Sequence, residues 1–458
     1  MLIDTHCHLD FKDFDLNRDE VISRAVKAGV GRIINVGSSL EGSERAVALA
    51  NKYDMVYATV GVHPHEAQTV DDGVIAKLKA LAKDEKVVGV GEVGLDYYRN
   101  LSPKEAQVSA FRKFIRLALE EDLPVIFHSR EADEELLGIL GEEAGRKARG
   151  VVHCFSGGKD YLKRCLDLGL YVSFTCKLTL KNADALRETA AAVPVERLLL
   201  ETDAPFLLPA ALKNKKIPNE PANLTYLVEE WSGILGLSKE DVARITTHNA
   251  NRLFGLGLDE AARIAYEIRD SLYLNITNRC TNACDFCIRN QTGEFVKGHN
   301  LWLEKEPSAE EILQAVGEAG KYKEIVFCGY GEPALRLDVI KTVASELKSR
   351  GCRVRVVTNG HGDLINKRPI AKELSGLVDR VSVSLNTDTK EAYDRICKPQ
   401  FGGASYKAVM DFIKDCVVNK IEAEVTCLEL PGVDIRKCEE IAKGLGAKFR
   451  LRRLGIVG

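Results

Sequence analysis

His6 and His8 stand two residues apart in the run LIDTHCHLD, so on an extended strand both imidazoles leave the same face and can share one cation. Four more residues of metal-ligand type follow downstream: Glu92 in GEVGLDY, His128 in IFHSR, His153 in VVHCFSG and Asp203 in LLETDAP. Each closes an apolar run. Four histidines and two carboxylates can hold one or two divalent ions, with Glu92 placed to bridge, and an ion so held activates water for hydrolysis. Taken singly, each is a polar group that its neighbours satisfy. Six in the same setting imply a shared cation, and Glu201 beside Asp203 strengthens the case, since buried carboxylates repel unless a cation or an arginine stands near.

A different chemistry is written after the strand-like run LYLNIT. Cys280, Cys284 and Cys287 put three thiolates on one loop, enough to hold three irons of a [4Fe-4S] cluster and leave the fourth open to a cofactor or substrate. Structural zinc is the alternative; it needs a fourth ligand at suitable spacing, and the sequence supplies none nearby.

Both sets need elements that bring distant residues together. From the start of the chain, short apolar runs alternate with helical patterns: LIDTH, RIINVG, MVYATVG, VVGVGEVG, PVIFHS, GVVHCFS, LYVSF and RLLLETD. Eight βα units predict a closed parallel (β/α)8 barrel, whose strands are apolar throughout because both faces are buried. A doubly wound open sheet is the alternative; the barrel is favoured because the six ligand-type residues fall at strand ends, which converge at one mouth. Lys213, Lys215 and Lys216 follow the eighth run, and so are expected near that mouth, either facing a nucleic-acid backbone or forming a solvated loop. The pattern lapses over GLGLDEAARIAYEIRD, giving a domain at 1–257 and a second at 262–458. The second carries strands at LYLNIT, EIVFCG, RVRVVT, RVSVSL, IEAEVTC and KFRLRRL, an α/β series that predicts a partial (β/α)6 barrel.

A length of 458 residues suits two cores, and 45% apolar with 29% charged residues is ordinary for globular protein. No stretch of eighteen apolar residues suggests a membrane span, and the first residues lack a secretory signal pattern, so a cytoplasmic location is expected. A net charge of -3 gives no global attraction to polyanions, which must then be held by local basic groups and metal. The thirteen cysteines, odd in number, read as thiols or ligands rather than disulfides. Cys328, Cys352, Cys397, Cys416, Cys427 and Cys438 show no close pairing and are expected to be buried free thiols.

The motifs DTHCHLD, VGVHPHEA, GEVGLDYY, HSR, HCFSG, ETDAPFL and PNEPAN, in that order, make residues 1 to about 255 resemble the TatD-type deoxyribonucleases. The resemblance implies a TIM barrel of the metal-dependent hydrolase type. It implies His6, His8, Glu92, His128, His153 and Asp203 as ligands of one or two Mg, Zn or Mn ions, with Asp203 also the base for the attacking water. Glu92, His63, His65 and Arg130 join the catalytic set, the last three facing the phosphate of DNA or short single strands. An anionic phosphodiester needs such cations, both to generate hydroxide near neutral pH and to offset charge building on oxygen. The same scaffold supports hydrolysis of small esters, lactones or amides, which stays open as the alternative, coupled to modification of the same metabolite or peptide.

The CxxxCxxC spacing, FCGYGEP at 327–333, VVTNG at 356–360 and SVSLNT at 382–387 resemble the radical S-adenosylmethionine (SAM) enzymes, and the whole chain resembles the TatD-associated radical SAM group. That implies a [4Fe-4S] cluster on Cys280, Cys284 and Cys287, and SAM held by the backbone of Gly329, Gly331, Glu332 and Pro333. Asn359, Ser384 and Asn386 would approach its methionine and ribose portions, and Phe286 would pack near the adenine or in the core. An electron donor and an unidentified substrate are the implied partners. Such enzymes shield their radical, so a cover is expected from the first domain, a large substrate or partner, or the loop Arg289 to Lys305 with Trp302.

Overall fold

The computed structural model describes residues 1–258, 260–287, 289–290 and 294–452. The chain divides into two compact units, Met1–Asp259 and Glu260–Gly458. In the first, eight strands run in sequence order: β1 (Leu2–Cys7), β2 (Val30–Val36), β3 (Val56–Val60), β4 (Val87–Asp96), β5 (Val125–Arg130), β6 (Gly150–Val152), β7 (Tyr171–Phe174) and β8 (Leu198–Leu200). All neighbouring pairs are parallel. Every residue of β4 is buried, as a strand covered on both faces requires.

The eighth strand returns to the first just beyond its end. Asp203 N–H donates to the His6 carbonyl (2.9 Å) and His8 N–H to the Ala204 carbonyl (2.8 Å), so the bonds closing the barrel are made by residues of the ligand set. Ile3, Ile34, Val88, Ile126, Val151, Tyr171 and Leu199 form an inner core with Leu253 and Phe254. Those last two end the helix Lys239–Phe254, and their packing leaves the opposite end of the strands for the site.

The second unit is a seven-stranded sheet ordered β17-β16-β15-β14-β13-β10-β9, with β9 (Ala265–Ile268), β10 (Ser271–Leu274), β13 (Glu324–Phe327), β14 (Val354–Thr358), β15 (Arg380–Ser384), β16 (Glu422–Leu428) and β17 (Lys448–Arg452). The six strands from β10 onward are parallel, an open (β/α)6 arc. The stretch read from sequence as a lapse contains a strand: β9 pairs antiparallel with β10 and covers that edge of the arc. The loop proposed as a lid carries a two-stranded ribbon, β11 (Phe295–Val296) with β12 (His299–Asn300). Its residues 291–293, like 453–458 at the end of the expected last strand, lie outside the described residues.

Candidate active sites

At the barrel mouth the side chains converge on Glu92, which the buried strand β4 holds between two groups of donors. Its Oε2 lies 3.4 Å from His6 Nε2 and 3.9 Å from His8 Nε2. Its Oε1 lies 2.5 Å from His128 Nδ1, 2.7 Å from His153 Nε2 and 3.6 Å from His63 Nε2. Asp203 joins the first group, with Oδ1 3.8 Å from His6 Nε2 and 3.7 Å from His8 Nε2. The Nε2 atoms of His6 and His8 face each other at 3.2 Å, while His8 Nδ1 donates to the Val36 carbonyl at 3.0 Å. That bond fixes the tautomer and leaves the His8 Nε2 lone pair directed at the shared space. The donor set therefore fits divalent cations: His6, His8 and Asp203 form one close group of ligand atoms, His6, His153 and Glu201 a second, and His63, Glu92 and His128 a third, with the two Glu92 oxygens turned toward the first and third.

The charges follow from this crowding. Burial pushes the Asp203 carboxyl up to about 6, with His153 and His8 acting against it. Burial would raise Glu92 too, but the histidines at 153, 63 and 128 outweigh it and hold that carboxylate well below its ordinary range. Burial drives protons off His6, His8 and His63. His153 moves the other way, because Glu92 and Glu201 outweigh its burial. Glu201 is held by the Cys154 N–H (2.5 Å) and the Ser173 hydroxyl (2.6 Å), and faces His153 Nδ1 at 3.4 Å. It thus sits behind His153.

All six proposed ligands meet here, and His63 joins them. His65 is one step removed: its Nε2 lies 2.9 Å from Asp96 Oδ2, which also lies 3.3 Å from His128 Nε2. Asp96 was missed from sequence, although it follows Glu92 by four residues on the same strand. Arg130 spreads over the Tyr98 ring at 3.9 Å and lines a cavity of about 580 Å³ with Arg99, Lys177 and the metal-type residues. Lys213 and Lys215, in the turn Ala210–Lys215, and Lys216 just after it are exposed and outside that lining.

In the second unit, Cys280, Cys284 and Cys287 follow β10 on a loop stitched to the end of the helix Lys390–Cys397. Ala283 N–H donates to the Cys397 carbonyl (3.1 Å), Asp285 N–H to Ile396 (3.1 Å) and Gln400 N–H to Thr281 (2.8 Å). Cys287 N–H bonds back to the Cys284 carbonyl at 3.1 Å, so both thiols share one turn. Three partly accessible thiols on a loop fixed from outside suit a cluster with one open iron.

The glycine-rich segment packs against the same loop. A Cβ on Gly331 would meet the Arg279 and Thr277 carbonyls at 2.2 and 2.6 Å, and one on Gly329 the Asn275 side chain at 2.2 Å. Glu332 is buried and accepts from Ala334 N–H (2.9 Å), Thr358 Oγ1 (2.7 Å) and Asn359 N–H (2.7 Å), beside Pro333. Asn359 Nδ2 donates to Thr281 Oγ1 at 2.8 Å and approaches Cys280 Sγ at 3.9 Å. Ser384 ends β15, and Asn386 follows in a left-handed conformation (φ 60°). Phe286 packs against the main core of this unit. Cys427 and Cys438 are buried free thiols, as expected, and bring their sulfurs to 3.6 Å because β16 and the helix Ile435–Gly444 face each other there.

A (β/α)8 barrel with this donor set at its mouth, followed by a partial barrel bearing three loop thiols, defines a metal-dependent hydrolase joined to a radical SAM enzyme. Residues 3–255 match the model of the TatD related DNase family, and the chain belongs to that family. Residues 274–445 match the Radical SAM superfamily. The chain is 41% identical over 254 residues to the uncharacterized metal-dependent hydrolase YabD of Bacillus subtilis, covering 56% of this chain and 99% of that one. It is 39% identical over 261 residues to the 3'-5' ssDNA/RNA exonuclease TatD of Pantoea ananatis, covering 56% and 100%. Among solved structures, the TatD homolog YjjV of Escherichia coli superposes with a TM-score of 0.53 at 32% identity, covering 56% of this chain and 98% of that one.

Proposed function

We propose that the first unit hydrolyses phosphodiester bonds of single-stranded nucleic acid with one or two divalent ions, and that the second carries out SAM-dependent radical chemistry on an unidentified substrate. The observation that carries the hydrolase reading is the division of Glu92 between two donor groups. His6, His8 and Asp203 would hold one ion, His128 and His153 the other, and Glu92 both. Bound there, such ions lower the pKa of water and offset charge on the phosphoryl oxygens. Asp203, beside the His6 and His8 nitrogens, would accept the proton of the attacking water. Arg130 and His63, on the cavity wall, would orient the phosphate. The named exonuclease activity of the Pantoea relative supports a nucleic-acid substrate over a small ester.

For the second unit, Cys280, Cys284 and Cys287 would hold a [4Fe-4S] cluster, and the loops after β13, β14 and β15 would hold SAM. A reduced cluster with SAM supplies a 5'-deoxyadenosyl group that abstracts a hydrogen atom. Thr281, Asn359 and Glu332 fix the loop on which that chemistry depends. The test of the first reading is cleavage of short single strands against a panel of lactones and esters, with and without chelator. Chelator-sensitive release of nucleotides is expected; turnover of the esters alone would overturn the assignment.

A further inference from the structure

Hydrolysis uses the floor of the cavity and leaves one feature of its rim unexplained. Phe206 lines the same cavity as His8, Glu92 and Asp203, yet is 52% exposed. A phenyl ring left in water forfeits the stabilisation of burial. Its backbone is nevertheless pinned. Phe206 N–H donates to the Asp203 carbonyl (2.9 Å) and Asn219 N–H to Pro205 (2.9 Å). The Asn219 side chain donates to the carbonyls of Thr202 (3.0 Å) and Leu207 (3.3 Å). Leu207 adopts φ 56°, a left-handed conformation that a leucine keeps only where its surroundings impose it. The turn that sets Asp203 therefore also sets Phe206.

A second ring supports it. Phe11 stacks on His8 with centroids 4.6 Å apart and planes at 21°, and meets Phe206 edge-on at 6.0 Å and 81°. An exposed flat ring thus stands beside a proposed metal ligand. The same cavity is lined by Arg99, Arg130 and Lys177. A planar apolar face beside cations complements a nucleotide, whose base stacks while its phosphate is held by charge.

We propose that Phe206, backed by Phe11, is the stacking platform for the nucleobase next to the scissile phosphate. This rests on the nuclease reading above. Because every base has a π-face, the platform selects for the presence of a base, not for its identity.

The test uses the full chain with its metal and two single-stranded oligonucleotides, one ending in ordinary nucleotides and one in abasic tetrahydrofuran residues. The wild type is expected to show a KM about tenfold lower for the ordinary end. Phe206→Ala should bring that ratio close to one, and Phe206→Trp should restore it. Stopped-flow fluorescence of an oligonucleotide ending in 2-aminopurine, read with metal bound and before the first cleavage, gives a readout independent of turnover: stacking quenches the wild-type complex and not the Ala variant. A wild-type ratio of one, or an Ala variant that keeps the tenfold ratio while losing kcat on both, overturns the platform and leaves the nuclease intact. Failure to cleave either oligonucleotide with any divalent ion instead sinks the nuclease reading.

Discussion

Asp96 and Asp203 separate two ways in which a carboxylate can serve a metal site. Asp96 faces His128 and His65 and also accepts the Arg99 N–H, so its charge orients rings without entering the donor groups. Asp96→Ala is expected to weaken metal binding about 10–100-fold, as read by metal titration, and excess metal should restore turnover. Asp203→Asn should keep the barrel folded, lose at least about a hundredfold in kcat and resist rescue by metal. Equal metal affinity in Asp96→Ala would remove its positioning role. A second residue gives a pH signature. His361 is fully buried between Thr281 Oγ1 and the Tyr393 hydroxyl, each 3.1 Å away, and burial holds its pKa down to about 4. The unfolded chain takes up a proton below about 6.5 that the folded one refuses until about 4, so stability is intact above 6.5 and falls as pH drops between the two. The loss approaches about 3 kcal/mol. Hydrogen exchange around 280–287 under anaerobic conditions should show it, and His361→Gln should flatten the slope; an unchanged slope in that variant would assign the effect to other groups.

At the scale of elements, two glycines show how strands and loops carry the sites. Gly94 has φ 148°, and a Cβ there would lie 2.0 Å from the His128 carbonyl, in the pairing of β4 with β5 that brings Glu92 to His128. Gly94→Ala is expected to cost about 1–3 kcal/mol, seen in thermal unfolding, and to weaken metal binding. Gly331→Ala would push on the backbone of Arg279 and Thr277, and should lower iron content after reconstitution while the sheet remains folded by circular dichroism; normal iron would show that the loop yields without cost. The parallel strands were legible because burial on both faces makes them continuous apolar runs, and the metal-type residues were legible because they close those runs. β9 was not: Ala265–Ile268 is short, half exposed and reaches its partner through an Arg269-Asp270 turn without glycine. Asp96 and the Cys427–Cys438 approach were hidden for a different reason. Their partners are set by tertiary packing between elements, and no local spacing records that.

At the scale of the whole molecule, the chain has a small net charge of -3 and, among the described residues, no helix long and apolar enough to cross a membrane. What organises it is two cores. The first unit buries its own clusters from Leu2 to Leu256, and the second its own from Tyr266 to Ala442. Substitutions within separate cores are expected to act additively. Replacing Cys280, Cys284 and Cys287 with Ala should therefore abolish iron binding and the release of 5'-deoxyadenosine from SAM, yet leave oligonucleotide hydrolysis within about twofold. The reciprocal variant, Asp203→Asn, should keep its iron and its SAM cleavage. Measuring both activities in both variants distinguishes independent catalysts from a coupled pair. Loss of hydrolysis in the cysteine variant, with the first unit still folded by hydrogen exchange, would mean that an intact cluster loop is needed for nuclease turnover, and the two reactions would then have to be treated as linked.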